Sequence, residues 1–384
     1  MKDEPKKKPN ILVRLITFLV TLALILGAVT LVVYRDRLNL DAFQRWLSYR
    51  GLETSETGEA AQFSYGGGTG VSVSCLDNAL LFSSNNSVRL YTNSGTELHS
   101  EVLSLNNPIL TSTGKLGVVY DMGGQELRAF DSRGQVFSLT LDEGYGFLSA
   151  RPNTSGWLAV VNQQSGYKGV VTVYDGSFSP KMEIDYSSAF VVDAALSDDN
   201  RSVAVITMGQ GSQSFESRVV LYSLGQEEAL ATVSLGNTTV LDLQHSSQTI
   251  RALGENALFL LSADGETQNT YSFSDRYLKG YELGGDSFSL LLLGRYRAGA
   301  ANELAVVGDD GSLLGTLTPD TQVLDLSAAG RYFGVLTADR LDIYTDDLTL
   351  YATLADTQGA RSISLREDGT ALLANSEQAW LYLP

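Results

Sequence analysis

Cysteine is almost absent from this sequence: Cys75 is the single one in 384 residues. No intramolecular disulfide can form, and no Cys-based zinc site can be assembled. Cys75 sits in "VSVSCLDNAL", a strand-like setting in which a lone cysteine reads as a small buried apolar residue. Histidine is nearly as scarce, with only His99 and His245. The nucleophile elbow G-x-S-x-G, the Walker loop and the zinc motif H-E-x-x-H are all missing. Proline is scarce too, seven against 37 glycines, and amphipathic helical periodicity is nearly absent after about residue 52. These absences exclude a helical bundle, a disulfide scaffold and the common motif-bearing enzymes.

Positive charge is also in short supply, 27 Lys and Arg against 44 Asp and Glu, for a net charge of −17. It is unevenly placed. Residues 1–40 hold seven basic and three acidic residues, which leaves 20 basic and 41 acidic in the rest. Such an acidic field repels phosphate backbones, so nucleic acid is not an expected partner. Solubility alone accounts for the acidity.

The N-terminus reads as an address. After the basic head "MKDEPKKKPN", residues 15–34 run without a charge. As a helix, twenty residues span about 30 Å, enough to cross a bilayer. Lys6, Lys7, Lys8 and Arg14 precede the run, which places the N-terminus in the cytoplasm by the positive-inside rule. No small-x-small cleavage site follows in "LVVYRDR", so an uncleaved signal anchor is expected over a cleaved signal peptide. The expected organisation is a cytoplasmic head at 1–14, a transmembrane helix at 15–34, and a juxtamembrane helix with a polar linker at 35–59. An extracytoplasmic domain at 60–384 follows. In the juxtamembrane segment, Leu40, Phe43, Trp46 and Leu47 fall at helical spacing.

From residue 60 one phrase returns. Two strand-like runs form a hairpin, and the second closes in a turn of Asp, Asn, Ser or Gly, as in "VRLYTNSG", "LRAFDSRG" and "LFLLSADG". The register residues are Tyr91, Phe130, Tyr174, Tyr222, Leu261, Val307, Tyr344 and Tyr382, spaced by about 37 to 48 residues. An all-strand period in the low forties is the signature of a β-propeller blade. A sandwich would also show short strands with frequent turns, but nothing in it calls for the same turn phrase eight times. The expected fold is therefore an all-β, eight-bladed propeller, with seven blades if 115–145 or 277–310 is not a unit. The eighth unit stops after "QAWLYLP", its third strand. "AAQFSYGG" at 60–67 precedes the first unit and is placed to supply the missing outer strand, which closes the ring without an unpaired edge.

The between-strand phrases "LSDDNRSVAVIT", "LSAAGRYFGVLT" and "LREDGTALLANS" resemble the S-P-D-G turn of TolB-type and WD-repeat-like blades. The proline is missing, and only Gly330 and Gly369 keep the glycine. As a whole the chain resembles an uncharacterised family of bacterial single-pass membrane-anchored propellers. That resemblance implies a fold and a place, with no reaction attached. Quinone-dependent propeller dehydrogenases share the blade number but carry tryptophan docking motifs in most blades; here only Trp157 and Trp380 fall in blades.

Candidate chemistry is sparse. His99 lies in an outer-strand context and reads as exposed, and His245 ends an inner strand and reads as a rim residue. "YGGGTGVSV" (65–73) precedes a strand and has no lysine, so it reads as a flexible turn rather than a phosphate loop. The pairs Asp198–Asp199, Asp309–Asp310 and Asp346–Asp347 fall in turns. Calcium is conceivable there, although Asp in a turn commonly caps its own backbone. No catalytic, cofactor-binding or metal residue is assigned. The expected function is a non-enzymatic binding or scaffolding module for a protein or cell-envelope ligand, with the lipid bilayer contacted through the N-terminal helix. The alternative is a hydrolase or lyase using axial carboxylates. Three or more acidic residues, or a histidine, converging in one axial pocket would favour the enzyme; a non-converging channel would favour binding.

Overall fold

The computed structural model describes residues 15–22, 45, 47–67, 70–211, 214–301 and 303–384. Two compact units are distinguished, Met1–Arg50 and Gly51–Pro384. In the first, 15–22 is helical and its side chains are exposed. Among the described residues no helix is long and apolar enough to cross a membrane. Most of the expected span, 23–34, lies outside the described residues, as do 38–44 and 46 of the expected juxtamembrane helix.

The second unit is the propeller. Among the described residues there are eight four-stranded antiparallel sheets, seven of them meanders of four consecutive strands. The innermost strands of blades 1 to 8 are Ser72–Leu76, Pro108–Ser112, Gly146–Pro152, Phe190–Leu196, Val240–His245, Tyr277–Glu282, Val323–Ala329 and Ser362–Leu365. Innermost strands touch between every two neighbouring blades except 5 and 6, which meet through Leu253, Leu258, Leu291 and Leu293, and that of blade 8 touches that of blade 1, so the ring is closed. All eight register residues of the repeat fall on third strands.

Blade stacking explains the burial. A second or third strand is covered on both faces by neighbouring blades and therefore reads as a continuous apolar run rather than an alternating one. Phe288–Gly294, "FSLLLLG", is buried along its whole length. Fourth strands have a solvent side and alternate, as in Glu97–Val102. The core is accordingly a series of inter-blade layers, such as Val161, Val171, Val203 and Val205 between blades 3 and 4. Phe288, Leu290, Phe333 and Val335 form the equivalent layer between blades 6 and 7.

Closure is as the repeat count predicts. In the last sheet the fourth strand is Phe63–Ser64, pairing Phe63 with Ala379 and Ser64 with Gln378. The pairing is shorter than the segment 60–67. It is reinforced by a bridge from Glu59 to Tyr382 and by aromatic contacts of Phe63 with Tyr91 and of Tyr65 with Phe82. Gly95, at φ +80°, is what lets Phe63 lie on the hairpin of blade 1: a Cβ there would sit 2.4 Å from the ring.

Polar side chains stitch the blades near the axis. Ser364 Oγ accepts the Cys75 N–H at 3.0 Å, and Asn153 donates to the Ser197 carbonyl at 2.8 Å. Arg251, only 2% exposed, donates to the carbonyls of Leu283, Gly285 and Asp286 in blade 6 and to Asp309. A planar fork of five donors suits such a set of carbonyls.

Candidate functional site

Five consecutive blades, 3 to 7, carry a register irregularity at the same place on the innermost strand, between Phe147/Ser149, Val191/Asp193, Val240/Asp242, Leu278/Gly280 and Val323/Asp325. A bulge re-aims the side chain that follows it. At three of these positions that side chain is a carboxylate, and each accepts the N–H of the next residue: Ala194 at 2.9 Å, Leu243 at 2.8 Å and Leu326 at 3.0 Å. Blade 6 has Gly280 there, and its carboxylate, Glu282, lies two residues on, accepting from Gly284 N–H at 2.9 Å.

Arg151 of blade 3 joins two of the carboxylates. Its Nη2 lies 2.7 Å from Asp193 of blade 4 and also donates to Asp242 of blade 5, while Ser149 donates to Asp193. A contact from blade 3 to blade 5 that passes over blade 4 is possible only on the inner side of the ring, so this network is axial. Burial works against the charge on Arg151, but Asp193 and Asp242 outweigh it and raise its pKa.

The remaining axial carboxylates are less well compensated. Burial, with the charges of Asp242 and Asp325 added, pushes Glu282 up to about 7. Burial pushes Asp325 up to about 6, against hydrogen bonds from the Ile363 and Leu326 N–H groups. Asp242 is raised by burial despite Arg151. Burial and the neighbouring Asp242 push the Tyr281 hydroxyl up to about 12. The arrangement can hold a proton near neutral pH on Glu282, beside the arginine-bound Asp193 and Asp242. Among the described residues no group of three or more His, Cys, Asp and Glu is arranged to hold a metal ion.

Neither histidine joins this network. His245 is not a rim residue: it is 4% exposed, with Nδ1 3.3 Å from the Ala195 carbonyl and Nε2 3.4 Å from Ser202 Oγ. Burial lowers it to about 4, so it is a neutral link between blades 4 and 5. His99 is half-buried rather than exposed, against the Phe130 ring and 3.9 Å from Glu101. Cys75 is buried, and burial raises its thiol pKa. Two of the turn aspartates serve their own turns: Asp310 accepts from Ser312 and Asp347 from Thr345 and Thr349, and these bonds hold both carboxyls below the usual range, whereas Asp309 accepts from Arg251 and Asp198 from Thr154 of neighbouring blades. Sequence reasoning missed Arg151, Asp193, Asp242, Glu282 and Asp325. The repeated "V-x-D" of 191–193, 240–242 and 323–325 was the available signal.

Solved structures with similar folds are propellers of very different sequence. The C-terminal WD40 domain of Sif2 aligns with a TM-score of 0.56 at 13% identity, covering 80% of this chain and 93% of its own. BamB from Moraxella catarrhalis aligns at 0.50 and 12% identity, covering 85% and 99%. The dihydro-heme d1 dehydrogenase NirN aligns at 0.51 and 13% identity, covering 74% and 65%. At these identities the likeness establishes the fold alone. No curated protein matches the chain. Residues 49–350, from the propeller's entry to within its seventh blade, match the family described as "Family of unknown function (DUF5711)", and the chain belongs to that family.

Proposed function

We propose that the protein is a binding or scaffolding module, a propeller held outside a bacterial membrane by an N-terminal anchor at 15–34, which presents one end of its ring to a protein or cell-envelope partner. The basic head and the uncharged run at 15–34 support the anchor. The observation that carries the binding role is a set of exposed aromatic residues at one end of the ring. Phe190 and Tyr277 open innermost strands and are 50% and 46% exposed. Phe215 and Tyr296, at 62% and 64%, lie at the hairpins between second and third strands, which the antiparallel register puts at the same end. Aromatic side chains are enriched in protein interfaces, so an end of the ring that exposes four of them on blades 4 and 6 suits a partner. The other end carries the aspartate-rich turns. The test is site-specific photo-crosslinking in native membranes from positions 190 and 296, with position 310 as control. Capture of one partner from 190 and 296 is expected. Capture from 310 alone, or of lipid alone from all three, overturns the reading.

A second reading, a hydrolase or lyase working at the axis, is favoured by the convergence of Asp193, Asp242, Glu282 and Asp325. Glu282 would serve as the proton-holding acid, since a pKa near the working pH is what such a group needs. Against it, Asp193 and Asp242 are engaged by Arg151. Turnover of an envelope polysaccharide that is lost in Glu282→Gln would establish it over the binding reading.

A further inference from the structure

Blade 6 departs from its neighbours at the aromatic end of the ring. Its second and third strands, Phe288–Gly294 and Glu303–Gly308, are joined by residues 295–302, the longest such connection among the described blades. The equivalent turns of blades 5 and 7 are only 255–256 and 338–340. In a repeat architecture an insertion confined to one unit commonly marks the binding face.

The loop also opposes the charge of the chain. Residues 295–302 read "RYRAGAAN", with two arginines and no carboxylate, in a protein of net charge −17. Glu303, at the foot of the loop, is held by Arg276. A third cation comes from the innermost strand. The register irregularity between Leu278 and Gly280 leaves Lys279 as the extra residue, and its Nζ donates to the Arg297 carbonyl at 2.6 Å. Gly294 makes room for that stem, since a Cβ there would lie 2.7 Å from Lys279 Cε. Tyr277 pairs with Gly294 and so stands at the foot of the loop, 46% exposed, while Tyr296 within it is 64% exposed. The Arg295 guanidinium lies 5.6 Å from the Tyr296 ring. Arg297 is exposed and forms no ion pair among the described residues.

Tyrosine and arginine are the residue types that carry most binding energy in protein interfaces, and positive charge without a partner selects carboxylates. A long phosphate polymer would meet the acidic remainder of the chain, whereas a short acidic segment meets the loop alone. We propose that this loop of blade 6 is the contact for an acidic segment of the protein partner. The partner's carboxylates meet Arg295 and Arg297, its apolar groups meet Tyr277 and Tyr296, and Lys279 braces the loop from below. The inference rests on the reading of this end as the partner-binding one and adds the partner's charge.

The test follows the fluorescence anisotropy of a fluorescein-labelled hexaglutamate peptide titrated with the full-length protein, with hexaglutamine and linear polyphosphate as comparison ligands. Saturable binding of hexaglutamate is expected, weakening as sodium chloride rises from about 50 to about 300 mM. Charge reversal in Arg297→Glu, on an exposed loop, lowers the affinity about ten-fold or more. Arg133→Glu, in an exposed turn at the opposite end of the ring, leaves it within about two-fold. In native membranes Arg297→Glu also reduces partner capture from position 190, and the fragment captured from 296 is rich in Asp and Glu. Equal binding of hexaglutamine, a preference for polyphosphate, or wild-type affinity in Arg297→Glu overturns the inference. Undiminished capture from 190 in Arg297→Glu overturns it too, while the reading of this end stands. No capture from either 190 or 296 removes that reading and this inference with it.

Discussion

Arg151 and Asp242 are 91 positions apart in sequence and two blades apart in the ring, yet the guanidinium of one donates to the carboxylate of the other across the inner strand of the blade between them. This contact belongs to the curvature of the ring rather than to any one sheet. It also neutralises the acidic arc of blades 4 and 5 from a neighbouring position.

Removing Arg151 should therefore cost more than a surface ion pair would. Arg151→Met leaves Asp193 and Asp242 facing each other without a cation, and the arginine is 27% exposed at its side chain. The expected loss is about 2–4 kcal/mol, at or below the usual range for a broken buried pair. Asp242→Asn, which keeps a hydrogen-bond acceptor, loses less. Urea denaturation of the two variants measures the difference.

Arg251 should resist conservative replacement. Lysine offers a point charge and cannot reach the Leu283, Gly285 and Asp286 carbonyls together with Asp309. Arg251→Lys and Arg251→Met should both destabilise by about 3 kcal/mol or more, through unpaired buried acceptors. Chemical denaturation checks it; a near-wild-type lysine variant would contradict it.

The pH dependence has two opposing parts. Glu282 is raised from 4.5 to about 7, so the folded state holds its proton more tightly than the unfolded one. That contribution is present below about 4.5 and is lost as pH rises to about 7. His245 is lowered from 6.5 to about 4, so its contribution is present above about 6.5 and is lost as pH falls through 4. Glu282→Gln should thus gain stability relative to wild type as pH rises from 5 to 7.5, and His245→Gln should show a shallower loss of stability between pH 6.5 and 4. Melting curves across that range separate the two.

Deleting 60–67 should lower the melting temperature of the whole ring and broaden its transition. It removes the pairing of Phe63 with Ala379 and uncovers the edge of blade 8. Phe63→Ala alone should cost about 2 kcal/mol, less than a fully buried phenylalanine because Phe63 is half-buried. An unchanged transition in the deletion would mean that closure contributes nothing to stability.

Much of the fold was legible because each blade is built from local hairpins. The strand-turn phrase that ends at Tyr91, Phe130 or Tyr382 is a short-range pattern, and counting it yields both the blade number and the missing fourth strand. The candidate site was less legible. The aspartates of the "V-x-D" phrases look like any polar residue on an alternating strand, and only the bulges before Asp193, Asp242 and Asp325 turn them to their partners. His245 was misplaced for a related reason: the end of an inner strand suggests a rim, but blade 4 covers it through Ala195 and Ser202.

The sequence by itself determined the all-β period, the eight units, and the closing pairing of the first segment with the last, since periodic apolar strands and turn residues act within about forty positions. Only the tertiary structure decided what those strands bring together at the axis and at the seam. Arg151 meets Asp242, and Arg89 meets the Gly66 turn through the Tyr65 carbonyl, because wrapping eight blades into a ring sets neighbours by curvature and not by spacing along the chain.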